Sequence, residues 1–336
     1  MRKLLIVTIL LLSVVEVAWA VSRSGSYTMT FDLSHHPAGD ETRLWIPYPV
    51  SNLNQTISSV KWEGDYSEAA VYTDRQNGTP MLSVRWASGT KPRYLTLSFA
   101  ATRLERVRRD FSSKELAVDD MGFASYLAPT RLGPTDGAVK ELSDQITAGK
   151  SGVLAKARAI YDWTVDHTFR DPATRGCGLG DVPKLLNRPG GKCADISSIY
   201  VALARSAGVP AREILGLRSG KNRLTDVTSW QHCWVEFYQP GYGWVPVDPA
   251  DVRKAMLKQN LKLDDPAVVA LREDFWGRVD ANRIKLSEGR DLHLNPPQRG
   301  EVINYLMYPY AEIGSRVVDW LAPEEFKYKL TWQPES

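Results

Sequence analysis

GGKCADISSIYVALARSAGVPAR, residues 190–212, is the stretch on which the fold turns. Ile196, Ile199, Tyr200, Leu203, Ala204 and Ala207 recur at three- and four-residue steps, which predicts one apolar helical face ended by Gly208 and Pro210. Cys193 then falls in the first turn. There the unpaired backbone N–H groups and the positive end of the helix dipole favour a thiolate. Gly190 and Gly191 let backbone or substrate approach closely. From this stretch alone, a nucleophile and a structural thiol stand level.

A thiolate nucleophile needs a proton shuttle and a group that orients the shuttle. Both are present in SWQHCWVEFYQPGYGWVPVDPAD, residues 229–251. WQHCWVEFY alternates as a strand, PGYG is a turn signal and GWVPVD reads as a second strand, so a hairpin is expected. His232, Trp234 and Glu236 share one face of the first strand, and Trp244, Pro246 and Asp248 share one face of the second. A hairpin can set Asp248 beside His232, the pair facing the Cys193 helix. Cys233, of opposite parity to His232, is expected as a core thiol behind the hairpin.

Working outward, Val153, Leu154, Ala157, Ile160, Tyr161 and Val165 form another helical face, with Asp136 and Ser151 as candidate N-caps. The loop FRDPATRGCGLGDVPKLLNRPGGK, residues 169–192, is long for a passive connection and carries Cys177. Before it, YTMTFDL, TRLWIPYPV, MLSVRWA and RYLTLSFA alternate as strands, punctuated by Asn77-Gly78 and Ser88-Gly89, and predict a β-sandwich. Arg103, Arg106, Arg108 and Arg109 read as a solvated linker face. After Asp251 the chain turns helical and charged, then strand-like in VINYLMYPYAEI and EFKYKLTW. The expected organisation is a leader at 1–20, a β domain at 21–118, an α+β catalytic core at 119–254 and an extension at 255–336 packed on that core.

The leader has Arg2 and Lys3, an apolar run from Leu4 to Val15 and Ala18-Trp19-Ala20 as a cleavage site, the pattern of a secretory signal. The run is too short for a stable membrane span, Glu16 interrupts it, and no cysteine follows the cleavage site to take a lipid. The chain is expected to be exported, to the periplasm or beyond. A net charge of +3 is too small to argue for nucleic acid, and 43% hydrophobic with 24% charged residues describes a globular chain. Three cysteines form either one bridge and a free thiol or three free thiols. Gly191-Lys192-Cys193 lacks the hydroxyl residue and the earlier glycine of a phosphate loop. A zinc site from Cys177, Cys193, Cys233 and His232 lacks C-x-x-C spacing, and no acidic calcium-loop pattern occurs. No metal and no cofactor is expected.

Taken together and in this order, GGKCADISSIYVALARSAGVPAR, QHCWVEFYQPGYGWVPVDPAD and the helix before them resemble the transglutaminase-like superfamily. The similarity is greatest to exported bacterial members with an N-terminal β domain. RGCGLGDV and FWGRVDANRI extend the likeness. The resemblance implies a papain-like core, a nucleophile helix packed on an antiparallel sheet, with Cys193 as nucleophile, His232 as general base and acid, and Asp248 orienting the imidazole. The Cys193 N–H can serve a developing oxyanion. Asn187, Gln231 and Trp230 are candidates for the second donor, although strand alternation turns Gln231 away from the site. Trp234 and Trp244 are candidates for groove walls. The function that follows is cleavage of amide or peptide bonds through a Cys thioester, on a protein or peptide substrate for which a cell-envelope peptide is one candidate. Acyl transfer to an amine is the alternative, and an inactive envelope-binding scaffold is the alternative of another class.

Overall fold

The computed structural model describes residues 21–111, 116–119 and 121–335. The expected leader lies outside the described residues. Among those described, no helix is long and apolar enough to cross a membrane.

Two five-stranded sheets face one another. The first runs Thr225–Asp226, Lys327–Pro334, Ser22–Asp32, Tyr94–Leu104, Gln55–Gly64; the second runs Arg316–Val318, Tyr310–Ile313, Thr42–Pro47, Pro80–Trp86, Glu68–Thr73. Alternation in the N-terminal strands drives this packing. Tyr27, Met29 and Phe31 point inward from one sheet to meet Leu44, Ile46, Leu82 and Val84 from the other. The last strand of the chain pairs antiparallel with the first, Tyr27 opposite Trp332 and Met29 opposite Leu330. Tyr310–Ile313 likewise pairs with Thr42–Pro47. The strands after Tyr310, expected to pack on the catalytic core, therefore sit inside the sandwich. Their inward residues, Leu330 and Trp332 among them, belong to the apolar cluster of the N-terminal strands.

The α+β core is a four-stranded antiparallel sheet, ordered Gly243–Val247, Gln231–Gln239, Ala211–Arg218, Arg283–Glu288. The Cys193 helix, Cys193–Ser206, crosses it. Ile199, Tyr200 and Leu203 of the helix bury against Val235, Phe237, Val245 and Val247. The helices Gly137–Thr147 and Val153–His167 pack behind and close the same cluster. The N-cap of the second is Gly152, at φ +80°, rather than Ser151. The opposite end of the sheet joins the sandwich core through Leu217, Ile284 and Leu286.

The arginine cluster is no solvated linker. Arg106 bonds Glu236 (2.7 Å) and the Trp244 carbonyl, Arg108 reaches the Tyr242 carbonyl, and Arg109 donates to the Trp276 carbonyl (2.8 Å). The chain leaving the sandwich runs beside the hairpin, whose edge carbonyls need donors. Guanidinium groups supply them.

Candidate active site

The first turn of the Cys193 helix is tied down by the loop before it. Asp195, three residues into the turn, accepts from the Lys192 N–H (3.1 Å) and from the Gly180 N–H (2.8 Å). The Ala194 N–H donates to the Cys177 carbonyl at 2.9 Å. Gly178 sits at φ +92°, and a Cβ there would collide with the Asp195 carboxylate. Only glycine allows this loop to close so tightly over the helix end. The result is that Cys177 is delivered beside Cys193.

All three cysteines are free, buried and part of one cluster. The Cys193 thiol is held well below its ordinary pKa. Hydrogen bonds from Cys177, then Cys233, outweigh the burial that would raise it, and His232 adds a hydrogen bond and its charge. The same bond to Cys193, together with burial, pushes Cys177 well up. Burial and then Cys193 push Cys233 up. Two neutral thiols thus flank the sulfur at the helix start, where the negative charge is concentrated; their S–H groups also have the Gln231 carbonyl (3.6 Å, from Cys177) and Ser197 Oγ (3.9 Å, from Cys233) as acceptors.

His232 is 3% exposed, and its Nε2 lies 2.7 Å from Asp248 Oδ2. With Nε2–H committed to Asp248, Nδ1 is the nitrogen left to exchange a proton with Cys193. Asp248 is also the N-cap of the helix Pro249–Gln259: its Oδ1 accepts from the Asp251 N–H at 2.9 Å. Arg283, fully buried, completes the arrangement by donating to Asp248 Oδ2 and to Asp251 Oδ2 (2.9 Å). Its Nη1 also lies 3.2 Å from His232 Nε2. A guanidinium has no acceptor, so that approach follows from the carboxylate oxygen the two donors share. Arg218 bonds both Asp251 oxygens at 2.6 and 2.7 Å. Burial alone would raise the Asp251 carboxyl; the charges of His232, Arg218 and Arg283 hold it well below its ordinary range.

The donor atoms of His232, Asp248 and Asp251 lie within 4.8 Å of one another, a spacing that a metal ion could bridge. Both carboxylates are already engaged by Arg283, and Asp251 by Arg218 as well. A divalent ion would have to displace the buried Arg283 guanidinium and the half-buried Arg218, so the donor set does not fit a metal centre.

A groove of about 720 Å³ opens beside Cys177, which lines it with Lys192, Trp230 and Gln231; Cys193 and His232, each next in sequence to a lining residue, are buried behind that wall. Gln231 is thus not turned away as strict alternation requires. It is the first residue of its strand, where neighbours of both parities converge on the helix start, and its Nε2 is buried without a hydrogen-bond partner. Asn187 is outside the groove: it ends the short helix Val182–Asn187, is exposed, and donates to the Pro183 carbonyl (3.3 Å). The turn at Arg188-Pro189 separates it from the Cys193 helix. Trp234 and Trp244 are not groove walls either. Trp234 packs with Ile214 and Val279, and Trp244 lies under the Arg212 guanidinium at 4.0 Å, both on the sheet face away from the Cys193 helix. Parity carried them there together with Glu236, whose carboxylate holds Arg106 and Arg212.

These features define a thiol-enzyme fold, and the chain belongs to the transglutaminase-like superfamily. The family model of that description matches residues 140–249. An uncharacterized protein of Haemophilus influenzae is 34% identical over 90% of this chain and 89% of its own length. A protein-glutamine gamma-glutamyltransferase of Pseudomonas aeruginosa is 33% identical, over 29% of this chain and 15% of the relative. Among solved structures, a Cytophaga hutchinsonii protein named as a candidate cysteine protease superposes with a TM-score of 0.54, covering 94% of this chain and 98% of that one at 14% identity, a likeness of fold.

Proposed function

We propose that the protein is an exported thiol enzyme that cleaves amide or peptide bonds, with Cys193 as nucleophile, His232 as base and acid, and Asp248 as the group orienting the imidazole. The observation that carries this reading is the charge-bearing Cys193 sulfur at the helix start, next to an imidazole whose far nitrogen is fixed by Asp248. Cys193 sulfur attacks the carbonyl carbon, the C–N bond breaks, and His232 gives its proton to the departing amine. Water, deprotonated by His232, then attacks the thioester; a C–O bond forms, the C–S bond breaks and the acid is released. Backbone N–H at the helix start and the free Gln231 Nε2–H are the donors available to the oxyanion.

Water is favoured over an amine as acceptor by the groove itself. Arg170, Lys192, Arg218, Lys254 and Lys258 line it, with no lining carboxylate among the described residues. A lysine ammonium entering there meets like charge. The test is mass spectrometry of the mature chain and its Cys193→Ala variant with amide and peptide substrates, with and without a primary amine. An acyl adduct on Cys193 and release of free acid are expected. Turnover in Cys193→Ala would remove the thioester. Amine incorporation outrunning acid release would replace hydrolysis by transfer, and a Cys193 that behaves as an ordinary thiol would favour the binding scaffold.

A further inference from the structure

We propose that the groove selects acyl donors bearing carboxylates next to the reacting carbonyl, that is, acidic peptides; this deepens, and rests on, the thiol-enzyme reading. Five cations line one wall system of about 720 Å³. Arg218 is neutralised by Asp251, whereas Arg170, Lys192, Lys254 and Lys258 have no carboxylate in ion-pair range among the described residues. Lys254 and Lys258 stand one turn apart on the helix Pro249–Gln259, a like-charge pair that weakens a helix by itself. The Lys254 ammonium is pushed below its ordinary pKa by burial and then by Arg218, with Arg170 and Lys258 acting in the same direction against Asp251. A groove that concentrates uncompensated positive charge at Cys177 and at Lys192, the residue before Cys193, is complementary to a negative ligand.

One further observation points the same way. Trp230, Tyr308, Trp320 and Tyr328 make the remaining wall apolar, and low-dielectric walls focus the field of the cations along the groove. The chemistry required of the occupant is an extended chain with carboxylates for the cations and apolar parts for the rings.

Iodoacetate and iodoacetamide test this on the mature chain, since they have nearly the same size and the same leaving group and differ in charge. The rate ratio of iodoacetate to iodoacetamide at Cys193 is expected to exceed that of glutathione by about tenfold at low salt, and to fall as salt is added. It should drop toward the glutathione value in Lys254→Gln/Lys258→Gln and, separately, in Arg170→Gln, each checked for folding by circular dichroism. Peptides differing at one position should protect Cys193 from iodoacetamide in the order Glu, Gln, Lys. A ratio equal to that of glutathione, with Cys193 still reactive at acid pH, would overturn the charge selection and leave the thiol enzyme standing. A raised ratio without peptide discrimination would overturn the acidic-peptide assignment. Ordinary thiol behaviour toward both reagents would instead overturn the enzyme reading.

Discussion

Cys177 is the first of the neighbours that hold the Cys193 thiol low, ahead of Cys233 and His232, as a donor shared with the Gln231 carbonyl at 3.6 Å. Cys177→Ala removes that donor. A hydrogen bond to a charged group is worth about 1.5–3 kcal/mol, and a thiol is a weak donor, so the low end applies. A loss of about 1.4 kcal/mol lowers the thiolate fraction about tenfold at any pH below the midpoint. The remaining thiolate is more basic and therefore more nucleophilic, by about threefold at a Brønsted slope of about 0.4–0.5. Alkylation of Cys193 by iodoacetamide should then slow about threefold on the acid limb and speed up about threefold on the alkaline plateau. The two profiles cross. A change of access would scale both limbs in one direction, so the crossing separates electrostatics from sterics. Cys177→Ser, which keeps an O–H donor, should stay close to wild type. Peptide mass spectrometry resolves Cys193 from Cys177 and Cys233, whose raised pKa values make them react last. Parallel profiles for wild type and Cys177→Ala, with His232→Ala alone displaced, would refute the role given to the neighbouring thiols.

Arg283→Met leaves Asp248 and Asp251 buried without their shared cation, which should cost about 3–5 kcal/mol and, in thermal melts, lower the midpoint by more than any exposed Arg→Met control such as Arg131→Met. The folded-state pKa of Asp251 lies below its ordinary 3.8, so its contribution is complete above that value and is lost as pH falls through the lower folded value. The melting temperature of wild type should therefore fall on acidification below about pH 4, with a shallower acid slope in Asp251→Asn; identical slopes would contradict the ion-pair assignment. Trp332→Ala empties a site 1% exposed, whose ring lies 4.8 Å from that of Tyr27. It should cost about 3–5 kcal/mol in denaturant titration, and a cost below about 1 kcal/mol would show that the final strand adds little to the sandwich.

The Cys193 helix and the His232 hairpin were legible because their signals are local. Apolar steps of three and four, Gly208 and Pro210 mark the helix; alternation around PGYG marks the hairpin, which pairs Val235 with Val247 and Tyr238 with Trp244. Alternation also placed Trp234 and Trp244 on one face, but did not say which layer that face meets. It failed at Gln231 and Cys233 for a different reason. Parity assigns residues to the two faces of a sheet, whereas Cys193 stands at a helix end over the start of a strand, where residues of both faces are within reach. Arg283 gave no local signal. It lies 35 residues beyond Asp248, in FWGRVDANRI, where Asp280 three residues earlier is its one local partner (3.0 Å), and nothing in that segment shows that the guanidinium also reaches Asp248 and Asp251. Asp251 was visible three residues after Asp248, where a helix-capping pattern should have raised it as a partner.

Pairing of the chain ends was the least legible feature, because register between strands separated by some 300 residues leaves no periodic trace. It bears directly on the site. Tyr308, Trp320, Leu321, Phe326 and Tyr328 all line the groove; Tyr308 leads into the sandwich strand Tyr310–Ile313, Trp320, Leu321 and Phe326 connect the sandwich strands Arg316–Val318 and Lys327–Pro334, and Tyr328 lies in the latter. The C-terminal chain is pinned to the Cys177 loop by Tyr305 Oη–H to the Gly178 carbonyl (2.6 Å), Asn304 Nδ2–H to the Leu179 carbonyl (2.5 Å) and Arg175 to Asp319 (2.6 Å). The loop that carries Cys177 to Cys193 is thus held between the Cys193 helix on one side and the returning C-terminal chain on the other. The strand Lys327–Pro334, paired between Ser22–Asp32 and Thr225–Asp226 and packed through Trp332 on Tyr27, fixes the path of that chain. The β domain therefore shapes the groove by anchoring its C-terminal wall, and substitutions in its core should alter Cys193 reactivity without touching any residue of the site.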